Sequence, residues 1–204
     1  MTPNVATARR VLQFGQTQRY HTEMMLRQQD VAQHSYNVAW LCWLLSDRDP
    51  SAALIMAALA HDAGERHTGD IPAPTKRRHP SMHELLDAME NEHTAAAGYT
   101  QEPLSRIEAQ ILKLADMMEG AFYCLRELKM GNRLVMDAVH GGAGINWLAY
   151  IESWLSHSDI QAPTVRTAAW ELFDYLKEQY GKFSTRPHHH DLRTHRVVEA
   201  DIGE

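Results

Sequence analysis

The stretch Ala52-Ala-Leu-Ile-Met-Ala-Ala-Leu-Ala60-His61-Asp62-Ala-Gly-Glu65 decides how the chain is read. Its first nine residues carry no charge and no helix breaker, and alanine and leucine are strong helix formers, so they describe a buried helix. The helix is expected to end near Glu65. An imidazole and a carboxylate therefore stand side by side where a buried helix stops, a pairing that suits Zn, Mn, Co or Fe. Two adjacent residues cannot close a metal site, so partners must come from elsewhere in the chain.

Outward from this stretch the chain reads as helices almost throughout. Val5 to Phe14 has helical apolar spacing and stops at Gly15. Asp30, with Gln33 three residues on, has the capping-box pattern for a helix to about Leu45. Pro50 and Ser51 restart the chain into the central stretch. Thr68-Gly-Asp-Ile-Pro-Ala-Pro74 reads as a turn-rich loop, because two prolines and a glycine oppose a regular helix. Ser81 and Glu84 form a second capping-box pattern, for a helix to about Ala97. Pro103 suits the first turn of a long helix from Leu104 to about Lys129, stopped by Gly131-Asn132. Gly141-Gly-Ala-Gly144 separates two further helices, and the last helix spans Ala162 to Tyr180. No convincing two-residue period appears, so the fold class is all-α, a helical bundle over residues 1–183 with a polar tail at 184–204.

Composition narrows the function. The 204 residues carry a formal charge of -6 and a pI near 6.1, which opposes a general nucleic-acid or membrane-surface binder. No apolar run approaches the roughly 20 residues that cross a bilayer, and no signal-peptide pattern opens the chain. Cys42 and Cys124 lie far apart in apolar stretches and read as buried thiols in a reducing cytoplasm.

Two distant residues complete the metal-binding pattern. His34 has Val31 three before it and Val38 four after, so it faces inward. Asp116 lies within Ile111-Leu-Lys-Leu-Ala-Asp-Met-Met118, where burial is costly unless the carboxylate is paired or coordinated. A salt bridge to Lys113 is the competing explanation, and it would place Asp116 at the surface. With His34, His61, Asp62 and Asp116 the chain offers two nitrogens and two oxygens, with room for water and substrate. Glu65, four after His61 and three after Asp62, shares their helical face and reaches a metal-bound water.

This order of residues resembles the HD-domain metal phosphohydrolases. The wider pattern resembles their YfbR-like 5'-deoxynucleotidase branch, and the phage dATP triphosphohydrolases of the DatZ type within reach of it. It comprises Arg19-Tyr20, Asp30-Val-Ala-Gln-His34-Ser, His61-Asp-Ala-Gly-Glu65, Thr68-Gly-Asp70-Ile-Pro-Ala-Pro-Thr-Lys76, Ala115-Asp116 and Cys124-Leu-Arg-Glu-Leu. The resemblance implies an HD-domain helical bundle holding one divalent ion (Co, Mn, Zn, Fe or Mg) through His34, His61, Asp62 and Asp116. It implies that Glu65 orients or deprotonates water with Asp70 assisting, and that Arg19 and Lys76 neutralise phosphate. Tyr20 stands where the family usually has a tryptophan that crowds the sugar 2' position.

The resemblance implies a cytoplasmic homo-oligomer acting on a small deoxynucleotide, with no polymer or membrane partner. The short interval between His61-Asp62 and Asp116 favours triphosphate release from a dNTP over orthophosphate release from a dNMP. A binuclear HD protein would need a Lys shortly after His-Asp, where Glu65 stands. A catalytically silent nucleotide-binding regulator would not need Glu65, Arg19 and Lys76 together. His67, His79, His83 and His93 read as surface or loop residues, as does the His188-His-His190 run of the tail. The five tryptophans read as core or subunit contacts.

Overall fold

The computed structural model describes residues 5–135, 147–157 and 162–184. Helix α1 spans Val5–Val11, and a 3-10 turn at Phe14–Gln16 follows it. Two residues on each side, β1 (Gln18–Arg19) and β2 (Gln29–Asp30), pair antiparallel with Arg19 opposite Gln29. Then come α2 (Val31–Leu45), α3 (Ala52–Ala60), α4 (Glu65–Thr68), α5 (Ala73–Arg78), α6 (Pro80–Ala96), α7 (Arg106–Lys129), α8 (Trp147–His157) and α9 (Pro163–Ser184). The all-α reading holds.

Helix α7 is the axis of the bundle. It packs against α2 and α3 on one side and α8 and α9 on the other. Its Leu114, Met117, Met118 and Ala121 are fully buried against Val38, Cys42 and Leu54 of the facing helices. Burying a side chain of this size contributes about 1.5–3 kcal/mol. Cys42 and Cys124 are buried free thiols within this core.

Local chemistry sets the helix starts, and it moves several of the expected boundaries. Asp30 caps α2 by accepting from Gln33 N at 2.8 Å. The long helix starts at Arg106 rather than Leu104, because Ser105 forms a reciprocal box with Glu108: Glu108 N donates to Ser105 Oγ at 3.2 Å and Ser105 N to Glu108 Oε2 at 2.9 Å. The Ser81–Glu84 pattern does not cap α6. That helix begins at Pro80, whose preset φ opens the first turn, and no side chain caps it. Only Gly69 to Pro72 of the expected loop lacks helix, since Pro74 sits in the first turn of α5, where no amide donor is needed. The Gly141–Gly144 break and the tail with its histidines lie outside the described residues. Among the described residues, no helix is long and apolar enough to cross a membrane.

The central stretch also ends earlier than its composition suggests. Helix α3 stops at Ala60, and His61 caps it with near-helical dihedrals. Three-residue hydrogen bonds then tighten the chain, from Ala63 N to Ala60 O at 3.0 Å and from Glu65 N to Asp62 O at 3.1 Å. Glu65 therefore opens a new helix instead of sharing one face with His61. Gly64 allows this turn to sit directly on α6, because a Cβ there would stand 2.2 Å from Glu90 Cβ. Gly64→Ala should consequently force α6 away from the turn and destabilise the fold by about 1–3 kcal/mol, measured by denaturant unfolding. Unchanged stability would show that α6 is not seated there.

Candidate metal centre

Five helices and one short ladder bring the chemistry together. His34 projects from the second turn of α2 and is fully buried. His61 and Asp62 leave the end of α3, and Asp116 stands midway along α7. His34 Nε2 lies 3.1 Å from His61 Nε2, 3.3 Å from Asp116 Oδ1 and 3.5 Å from Asp62 Oδ2. His61 Nε2 lies 3.4 Å from Asp62 Oδ2 and 4.0 Å from Asp116 Oδ1. Among the described residues, His34, His61 and Asp116 form a set with one ligand atom each within 4.8 Å of the others. Asp62 touches both imidazoles, but its Oδ2 also accepts from Arg19 Nη1.

The opposite edges of the two imidazoles explain why this set fits a cation. His61 Nδ1 lies 2.9 Å from Ala58 O, and a carbonyl only accepts, so Nδ1 carries the hydrogen. His34 Nδ1 lies 2.7 Å from Glu119 Oε2 and donates to it in the same way. Both Nε2 atoms are then left facing each other at 3.1 Å with carboxylates around them. Two lone pairs at that separation repel unless a proton or metal ion lies with them. Two imidazole nitrogens with a carboxylate oxygen are the donor set of a catalytic divalent-metal site.

The sequence posed the Lys113 salt bridge as an alternative to a site role for Asp116, and the structure shows that both contacts are made. Asp116 Oδ2 accepts from Lys113 Nζ at 3.1 Å while Oδ1 faces the imidazoles. Burial opposes ionisation of Asp116, but Lys113 and the two histidines outweigh it and hold the carboxyl well below its ordinary range. Burial likewise opposes charge on His34, as does Arg19, yet Asp116, Glu119 and Asp62 raise its pKa to about 9.

Around the cluster, cations and acids interlock. Arg19 of β1 donates to Asp62, and this carboxylate raises the pKa of the guanidinium despite its burial. Lys76 of α5 lies 3.5 Å from Glu65 Oε1. The other oxygen of Glu65 is buried without a hydrogen-bond partner. Burial, reinforced by Asp62, raises the Glu65 pKa to about 9, with Arg19 and Lys76 opposing. Asp70 accepts from the backbone N of Tyr20 at 3.1 Å, which holds Tyr20 at φ 54°. The Tyr20 ring stacks on Tyr123 at 5.0 Å, and its hydroxyl is buried beside Gly120, one turn along α7 from Asp116.

The sequence-predicted residues therefore converge, with Tyr20 turned into the core. Glu119, Gln29 and Asn37 escaped the sequence reading. Glu119 sits in the same apolar stretch as Asp116, so the argument from a costly buried carboxylate applies equally to it. Of the discounted histidines, His67 and His93 stack at 3.8 Å and His83 pairs with Asp87, away from the cluster. A cavity of about 220 Å³ meets the cluster through His61, but Asp87 and Glu90 in its wall disfavour phosphate.

This helical bundle, with one His, an adjacent His-Asp pair and a distant Asp gathered from separate helices, has the architecture of the HD domain. A family model described as 5'-deoxynucleotidase YfbR-like matches residues 9–141, and the chain belongs to that family. A dATP triphosphohydrolase of Salmonella phage PMBT28 is 32% identical, with 74% of this chain and 86% of the relative covered. A 5'-deoxynucleotidase of Erwinia tasmaniensis is 27% identical over 55% of this chain and 68% of its own. The fold is shared with the HD phosphohydrolase DatZ of Cyanophage S-2L, solved with dA and one catalytic Zn2+ ion. That structure has a TM-score of 0.57 and 20% identity, covering 87% of this chain and 98% of the other.

Because His34 must give up the proton at Nε2 to bind a metal ion, binding competes with protonation. Metal affinity should rise with pH and level off above about 9, measured by chelator competition with Zn2+. A flat profile between pH 6 and 9 would place metal binding elsewhere.

Proposed function

We propose that the chain is a metal-dependent phosphohydrolase of deoxynucleotide 5'-phosphates, and that a dNTP of the dATP kind is its main substrate. The products are then the deoxynucleoside and inorganic triphosphate. The observation that carries this reading is the convergence of His34 Nε2, His61 Nε2 and Asp116 Oδ1, bordered by Arg19, Lys76 and Lys113. Each of these cations now neutralises a carboxylate of the site, and each lies where a phosphate could take up its charge. Three cations suit a triphosphate, which carries more charge than a monophosphate. The kinship with the phage dATP triphosphohydrolase supports the same choice. The match to the 5'-deoxynucleotidase model favours a second reading, removal of orthophosphate from a dNMP.

In this reading His34, His61, Asp62 and Asp116 hold one divalent ion, and its two imidazole ligands favour Zn, Co or Fe over Mn or Mg. The bound ion supplies a Lewis acid for the phosphoryl oxygen and lowers the pKa of water from about 16 towards 7. Glu65 orients the attacking water and accepts its proton in its ionised form, which burial opposes and which Arg19 and Lys76, the latter 3.5 Å from Oε1, favour. Water oxygen bonds to the phosphorus next to the sugar, the bond from that phosphorus to the 5' oxygen breaks, and a proton ends on the 5' oxygen. Asp70 holds the Arg19-Tyr20 segment in place beside the reacting group. We assign Tyr20, whose ring stacks on Tyr123 of α7, to deoxy selection.

Tyr36, Trp40 and Leu44 recur every four residues along α2 and are exposed, Trp40 by 54%. We assign this stripe to contact between copies of the chain, a homo-oligomer. The buried free thiols suit a cytoplasmic setting, that of the host for a phage-encoded chain.

Replacing His61 or Asp62 by Ala should leave a folded protein that loses both metal and turnover. Full activity in a metal-free variant would contradict the mechanism. A screen of dNTPs and dNMPs with Mn, Co, Zn and Mg, with chromatography of the products, should release triphosphate from a dNTP. Orthophosphate from a dNMP alone would favour the second reading, and binding without any product would overturn both.

A further inference from the structure

The carboxylate of Glu119, on α7 one turn beyond Asp116, is among the most buried acids of the protein. Oε2 accepts from His34 Nδ1 at 2.7 Å. Oε1 accepts from Gln29 Nε2 and Asn37 Nδ2, each at 2.8 Å, and Arg126 Nη2 lies 3.7 Å from it. Every close neighbour of this carboxylate is therefore a donor, which is the environment of an ionised acid. Gln29 is itself buried and lies opposite Arg19 in the two-residue ladder. Glu119 thus connects three parts of the centre: α7, which carries Asp116; α2, which carries His34; and the ladder that carries Arg19.

We propose that Glu119 is a positioning residue of the metal centre, fixing His34 with its hydrogen on Nδ1 so that Nε2 faces the ion, and tying the Arg19 ladder to the same point. A neutral imidazole has one hydrogen and two places to put it. If the hydrogen sat on Nε2, His34 could not serve as a ligand, and the acceptor at Nδ1 would confront an acceptor in Glu119. The carboxylate excludes that arrangement. The equivalent restraint on His61 comes from the carbonyl of Ala58, which no side-chain substitution removes. Glu119 is accordingly the point at which the ligand geometry is open to mutation without touching a ligand. The inference rests on the metal-centre reading but not on the identity of the nucleotide.

Zn2+ affinity of the full chain, measured by chelator competition, tests it, with thermal unfolding in excess chelator as the check on folding. Glu119→Gln should remain folded and bind Zn2+ roughly 10–100-fold more weakly. Asn37→Ala removes a different hydrogen bond to the same carboxylate and should stay near the wild-type affinity. Wild-type affinity in Glu119→Gln, or equal losses in both variants, would overturn the proposal and leave Glu119 a structural residue. If Glu119→Gln does not fold, long-range proton–nitrogen correlation of the Zn2+-loaded wild type reads the His34 ring directly. A hydrogen on Nδ1 supports the proposal, and one on Nε2 overturns it. The titration uses the metal alone, so it stands even if no deoxynucleotide is turned over. A wild-type chain that binds no Zn2+ would instead overturn the metal reading on which this inference rests.

Discussion

His34 and His61 face each other through Nε2 at 3.1 Å, and each has its Nδ1 hydrogen committed elsewhere. This contact constrains everything around it. The bundle places two lone pairs where they repel in the absence of a cation, and it surrounds them with the carboxylates of Asp62 and Asp116. Such an arrangement is unfavourable for a structural core and favourable for a metal centre. The energy that holds it comes from outside the cluster, from apolar packing of α7 against α2 and α3. A metal ion held there would meet ligands already in position.

The second layer of the centre is a set of opposed charges. Arg19 lies on Asp62, Lys76 on Glu65 and Lys113 on Asp116, so these three acids each have their own cation. Buried charges without such partners would be far more costly. In the proposed function the pairing also serves recognition, because an incoming phosphate presents the same kind of oxygen as the carboxylates it would approach. The short β1–β2 ladder matters here out of proportion to its size. It brings Arg19 to the start of α2 and, through Gln29, to the same Glu119 carboxylate that orients His34.

Much of this was legible from residue order. The inward face of His34 followed from Val31 and Val38, and Asp116 stood out as an acid among apolar neighbours. The convergence of both with His61 was a matter of three helices lying together, which an all-α pattern permits but does not demand. Where the sequence reading went astray, local chemistry had competing solutions. Ser105 and Pro103 both mark a helix start, and the hydrogen-bonded cap prevailed. Ser81 lost its capping role to the neighbouring proline. Glu65 looked continuous with α3 because no breaker but Gly64 separates them, yet the close approach of α6 requires the turn. The ladder was invisible because two residues cannot display a two-residue period. Glu119 was overlooked for a different reason: an acid that positions a ligand gives the same sequence signal as one that serves as a ligand.

The account depends on a single ion seated between His34 and His61. Crystals of the protein grown with Zn2+, with anomalous diffraction collected at the metal edge, test that most directly. The expected result is one strong peak about 2.0–2.1 Å from Nε2 of both histidines, with carboxylate oxygen from Asp62, Asp116 or both completing the shell. A peak confined to His67 and His93 or to the His188–His190 run, with the two Nε2 atoms left unligated, would contradict it.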